Sequence, residues 1–126
     1  DNGFSDNLHI TGWVDNPMSY VEIFDVACLL SRWEGFGLAL PEYMMASKPI
    51  VASMVDAIPN IIKDGENGLL VEVDDDIGAS KAVLRILRED GLRKKIVAQG
   101  LEDVHNRFNA RRVSEEHSKL FNKEMD

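Results

Sequence analysis

Four short apolar runs, LHITGW (8–13), VACLLS (26–31), PIVAS (49–53) and LLVEV (69–73), recur in this chain with helix or turn signals between them. Continuous apolar runs of strand length suit strands covered on both faces, which is the situation of parallel strands flanked by crossover helices. The intervening segments fit that scheme. Asp15-Asn16-Pro17 is a cap-and-turn signal that predicts a short helix over 18–24. A second helix is expected over 40–46 with Pro41 near its start, then a helical turn over 58–63 and a turn at Asp64-Gly-Glu-Asn-Gly68. Beyond Asp74-Asp75-Asp76, three helical stretches are expected. Ala79, Ala82, Val83, Ile86 and Leu87 share a face over 77–89. Past Gly91, Val97, Leu101, Val104 and Phe108 do so over 92–108, and Val113, Leu120 and Phe121 over 110–125. The order predicts an α/β sandwich around a parallel sheet, forming one domain over 1–126. Four strands are few for such a sheet and the chain opens on Asp1, so leading βα units are expected to belong to a longer protein.

Charge narrows the partners. Fourteen Lys and Arg against 22 Asp and Glu leave a formal net charge of −8. Such a surface repels a phosphate backbone, so nucleic acid is not an expected partner, and an anionic ligand must be held by local dipoles. The single cysteine, Cys28, sits in an apolar run and reads as a small buried hydrophobe, which suits a reducing, cytoplasmic setting. No stretch has the length of a membrane span.

The segment Ser31–Met44, SRWEGFGLALPEYM, places Glu34 and Glu42 at either end of a glycine-rich loop running into a helix start. In open parallel sheets ligands sit outside the carboxyl ends of the strands, where this loop is expected. Gly35 and Gly37 let the backbone come close to a ligand, and the free N–H groups of the following helix point into the same space. Together they suit phosphate without needing a lysine. Carboxylates repel phosphate, so the two glutamates must face neutral, hydroxyl-rich parts of the ligand. A carboxylate accepts two hydrogen bonds and so matches a vicinal diol. Sugar, diphosphate and ribose in series would satisfy the whole stretch.

These residues resemble the Glu–seven residues–Glu motif of retaining nucleotide-sugar glycosyltransferases with two Rossmann-like domains, the GT-B fold, and most of all its family-four group. LHITGWVDN, KPIVAS and DGENGLLVEVDD resemble the family's neighbouring blocks in the same order. The resemblance implies a Rossmann-like sheet forming the C-terminal half of a GT-B enzyme, truncated on its N-terminal side. It implies that Glu34 contacts hydroxyls of the donor sugar and that the amides of Gly35, Phe36, Gly37 and Leu38 lie along the diphosphate. Glu42 would take the ribose diol, with Trp13 and Val14 on the side of the base. The donor would be a UDP- or GDP-sugar, with no further cofactor, no metal and no protein nucleophile. A hexose would pass with retention to a glycan, lipid or other hydroxyl acceptor held mainly by the other domain, so the isolated piece would be inactive. The family's last helix returns to that other half; apart from it, Leu120 and Phe121 would favour self-association. One departure is plain: where the family has Gly-Gly-x-Pro-Glu, this chain has Asp56-Ala57-Ile58-Pro59-Asn60 after Val55.

The same residues admit other readings. A glutamate pair also serves glycoside hydrolysis, but that chemistry needs neither glycines nor a helix start between the carboxylates. A sugar-nucleotide epimerase of the same architecture needs acid and base groups near the sugar, and a non-catalytic nucleotide-binding domain would keep the fold alone. The aspartate triplet 74–76 reads as a helix cap rather than a metal site. His9, His105 and His117 have no ligand spacing. Arg32 reads either as a phosphate neighbour or as half of a surface pair with Glu34 or Asp25. Arg93, Lys94 and Lys95 form a basic cluster that would suit peripheral contact with a membrane.

Overall fold

The computed structural model describes residues 7–8, 16–33, 37 and 39–125, with side chains as far as Arg107. The elements run α1 (Pro17–Val21), β1 (Ala27–Leu29), α2 (Ala39–Met45), β2 (Ile50–Ser53), α3 (Ile58–Ile61), β3 (Leu69–Val71), α4 (Asp76–Arg88) and α5 (Asp90–Met125). The strands form one parallel sheet in the order β1-β2-β3, with Cys28 opposite Val51 and Ala52 opposite Leu70. The strand expected over 8–13 lies, apart from Leu8, outside the described residues.

The central strand explains its own composition. β2 is IVAS, and all four residues are buried because each face of the sheet is covered. On one face Ala27, Ile50 and Ala52 pack with Leu40 and Met44 of α2, with Ile58 and Ile62, and with Val104 of α5. On the other, Val51 and Leu69 pack with Ala82 and Ile86 of α4 and Ile96 of α5. Full burial of each large aliphatic chain contributes about 1.5–3 kcal/mol, so these two clusters carry most of the fold. Among the described helices, α5 alone contributes to both. Ile96, almost fully buried, is the anchor that the expected stripe of Val97, Leu101 and Val104 left out.

The expected break between two terminal helices is absent: α5 is continuous over 36 residues. Asn109 is the only punctuation there, and one asparagine in a helix interior costs well under about 1 kcal/mol, too little to stop a helix without glycine or proline beside it. Gly91 falls in the first turn, where it breaks nothing. The reading of the aspartate triplet holds: Asp75 is the N-cap of α4, its Oδ1 accepting from the Gly78 amide at 2.8 Å.

Cys28 corrects the sequence reading, being exposed rather than buried. Its side chain lies on the face opposite Ala27, and α4, which covers that face, packs over β2 and β3 instead. Of the two consecutive methionines that end α2, Met44 is buried in the core and Met45 is exposed. No helix among the described residues is long and apolar enough to cross a membrane.

Candidate functional site

The exits of β1 and β2 are tied together at the carboxyl edge of the sheet. Ser53, the last residue of β2, is buried, and its hydroxyl lies 2.6 Å from the Ser31 carbonyl oxygen and 3.4 Å from that of Leu29. The hydroxyl has one proton, so the shorter contact to Ser31 is the hydrogen bond that fixes the strand end. The chain therefore leaves β1 toward the loop from a set position. Beside it Arg32 Nε meets Asp74 Oδ1 at 3.0 Å, past the end of β3. Both side chains are exposed, so this pair contributes little to stability. Among the described residues the carboxylate partner of Arg32 is Asp74 rather than Asp25.

Of the expected site residues, Gly37 and Glu42 are described; Trp13, Val14, Glu34, Gly35, Phe36 and Leu38 lie outside the described residues. Gly37 is buried, with φ at +61°, a left-handed value that suits glycine. Its carbonyl accepts from the Leu40 amide at 3.1 Å and so leads the chain into α2. A Cβ at this position would stand 2.9 Å from Ile61 Cδ1 and 3.3 Å from Leu40 Cδ1. Gly37 thus packs directly on α3 as well as on α2. Glu42 lies in the first turn of α2 and is exposed, at the dipole end that favours an acidic residue.

Behind the loop, α2 is held against α5. Gly100 faces Met44, whose Cγ would lie 3.3 Å from an added Cβ, so the two helices approach closely there. The joint is completed by Asn67, buried although polar. Its Oδ1 accepts from the Lys63 amide at 2.7 Å, and its Nδ2 donates to the Ile61 carbonyl at 3.0 Å and to Asp103 Oδ2 at 2.8 Å. Gln99 Nε2 donates to the other Asp103 oxygen at 2.9 Å. Ser53 and Asn67 were missed as structural determinants in the sequence. A polar residue closing an apolar run, and an asparagine in a glycine turn, are the only signals they give.

Tyr43 and Cys28 titrate above their ordinary values. The Tyr43 phenol is pushed up by burial, then by the Glu42 carboxylate and by Cys28, while partial desolvation pushes up the thiol of Cys28 even though the residue as a whole is exposed. Both are acids whose folded form holds the proton more tightly, so their contribution to stability is intact below the ordinary values and is lost as pH rises past them. Thermal melts between pH 8 and 11 are expected to fall more steeply for the wild type than for a Cys28→Ser/Tyr43→Phe variant. Parallel curves would contradict this. Among the described residues no group of three or more His, Cys, Asp or Glu is placed to hold a metal ion.

A parallel α/β sheet with its loop and two crossover helices at the carboxyl edge is the architecture of one domain of a GT-B glycosyltransferase. The family Glycosyl transferases group 1 matches residues 1–103, and the chain belongs to that family. It is similar to N-acetyl-alpha-D-glucosaminyl L-malate synthase of Bacillus anthracis, 29% identical over 91% of this chain and 32% of that protein. It is also similar to phosphatidyl-myo-inositol mannosyltransferase of Mycolicibacterium smegmatis, 40% identical over 79% of this chain and 26% of that protein. The crystal structure of the C-terminal domain of a glycosyl transferase group 1 family protein (LpcC) from Francisella tularensis superposes with a TM-score of 0.70. It is 29% identical, with 77% of this chain and 51% of that one covered. The chain thus spans about a third or less of the length of these two named relatives.

Proposed function

We propose that this chain is the donor-binding domain of a retaining glycosyltransferase, which takes a UDP- or GDP-sugar and transfers its hexose to a hydroxyl of a glycan or lipid-linked acceptor. The observation that carries the reading is the family match over 1–103, which takes in both glutamates, with β1 ending at Leu29 and Glu42 in the first turn of the helix that follows, α2. The mannosyltransferase among the relatives supports a hexose and a lipid-linked acceptor. Glu34 takes hydroxyls of the sugar, the amides of Gly35, Phe36, Gly37 and Leu38 run along the diphosphate, and Glu42 takes the ribose diol. Trp13 and Val14 stand on the side of the base.

Transfer requires the departing diphosphate to be stabilised as the sugar–phosphate bond breaks. Amides fixed before reaction do this without reorganisation, which is the largest single lever such a site has. No side chain acts as nucleophile and no metal is invoked. The acceptor is held by the partner domain of the intact enzyme, which works in the cytoplasm, peripheral to the membrane.

Glu42→Ala tests the assignment. In the intact protein it is expected to weaken binding of the nucleoside diphosphate by about 1–3 kcal/mol, the scale of one charged hydrogen-bond partner lost. Calorimetric titration with UDP, GDP and ADP measures it, and unchanged affinity would remove the ribose role.

A further inference from the structure

We infer that a cavity between α2, α3 and α5 binds one neutral pyranose unit of a glycan, at a place separate from the donor loop and independent of the donor assignment. The cavity has a volume of about 300 Å³. That is the lower end of the roughly 300–1,000 Å³ usual for small-molecule sites, room for a sugar ring rather than for a whole nucleotide. Its floor is apolar, made by Pro41 and Met44 of α2, Ile61 of α3 and Val104 of α5. Such a floor suits the C–H face of a pyranose, whose equatorial hydroxyls then reach the walls. The cavity lies on a flank of α2, the helix whose first turn carries Glu42.

The walls supply hydrogen-bonding groups of both kinds. Asn60, Glu66 and Asn106 line the cavity, and their side chains have no hydrogen-bond or ion-pair partner among the described residues. Gln99 and Asp103 are held in place. Gln99 Nε2 donates to Asp103 Oδ1 at 2.9 Å, and Asn67 Nδ2 donates to Asp103 Oδ2 at 2.8 Å. That arrangement leaves Gln99 Oε1 as an acceptor and a second lone pair on each Asp103 oxygen. Groups fixed in advance lose little freedom when a ligand arrives. Charge then selects among ligands. Lys63 and Arg107 line the cavity with Glu66 and Asp103, two cations with two carboxylates, so it carries no net formal charge. Lys63 Nζ also donates to the Pro59 carbonyl at 3.0 Å. A phosphate or sulfate meets carboxylates there as well as cations, whereas a neutral polyol can use amide, carboxylate and cation alike. The vicinal hydroxyls of a pyranose match such a set, donating to carboxylate and amide oxygens and accepting from amide and cationic N–H groups.

The intact protein, with and without an excess of UDP and GDP, is titrated with neutral tetrasaccharides of glucose, mannose, galactose and N-acetylglucosamine, and with a sulfated tetrasaccharide. Calorimetry gives the affinity, and NMR follows the side-chain amides of Asn60, Gln99 and Asn106. At least one neutral glycan is expected to bind and to shift those amides whether or not the nucleotides are present. Glu66→Ala/Asn106→Ala removes two wall groups that hold nothing else in the fold. It is expected to bind that glycan about tenfold more weakly, with the melting temperature unchanged. Equal affinity of variant and wild type would overturn the inference, as would the failure of all four neutral glycans to bind. Binding that the nucleotides abolish would place the sugar at the donor loop, and tighter binding of the sulfated glycan would make the cavity an anion site; either result overturns it. Binding of UDP or GDP, measured in the same samples, decides the donor reading separately.

Discussion

Gly37→Val is expected to destabilise the fold by about 2–5 kcal/mol, lowering the melting temperature by roughly 6 °C or more. Two independent costs add. A β-branched residue held at a φ of +61° is strained by roughly 1–2 kcal/mol. A side chain at this buried position also begins 2.9 Å from Ile61 Cδ1 and 3.3 Å from Leu40 Cδ1, and overpacking of a fitted core adds typically about 1–3 kcal/mol. The sequence alone presents Gly37 as a glycine for the ligand's approach. The structure adds that it also packs on α2 and α3, so folding and donor binding are expected to fail together. Differential scanning calorimetry of Gly37→Ala and Gly37→Val decides: alanine should carry the backbone strain with less of the crowding. A valine variant that melts with the wild type would mean that the loop repacks freely and that its geometry is not fixed from below.

Asn67→Ala carries the second large effect, a loss of about 2–4 kcal/mol. It removes the partner of the Lys63 amide, of the Ile61 carbonyl and of one Asp103 oxygen at once. A polar group deprived of its partner away from water costs about 1–3 kcal/mol, and the network shares the loss among its members. Urea denaturation of Asn67→Ala, Asp103→Ala and the double variant measures the coupling, expected between about 0.5 and 3 kcal/mol for residues in direct contact. Additive losses would show that the two side chains stabilise the chain separately, and that α5 is held by its apolar contacts alone.

How legible these features were in the sequence follows from what each signal encodes. Apolar runs specify burial on both faces, so β1, β2 and β3 were found within one or two residues of their ends. Asp75 was legible because a cap is a local event, three residues from the amide it serves. The break expected near Asn109 was wrong because a weak local preference was read without the continuity of the helix around it. Cys28 was misread because its run is apolar throughout, while its exposure depends on where α4 crosses the sheet. Ser53 and Asn67 depend on partners 22 and 36 residues away, Ser31 and Asp103, and no local spacing announces a contact of that range. At the site, Gly37 was found for its backbone freedom, but its packing against Ile61 was not. The left-handed turn at Asp56 was hidden because aspartate does not declare that conformation as glycine does.

The unbroken length of α5 gives the domain a lever. Val104 is its last buried residue among those whose side chains are described, and the helix runs on to Met125, about 30 Å farther at 1.5 Å per residue. A stiff rod magnifies rotation at its bearing, so a tilt of about 5° at Val104 swings the far end by about 3 Å. The bearing is the contact of Gly100 with Met44 together with the Asn67–Asp103 bond, and Met44 belongs to the same short helix as Glu42. A load applied to the tip of the rod is thus delivered as torque to the helix that carries one of the two glutamates.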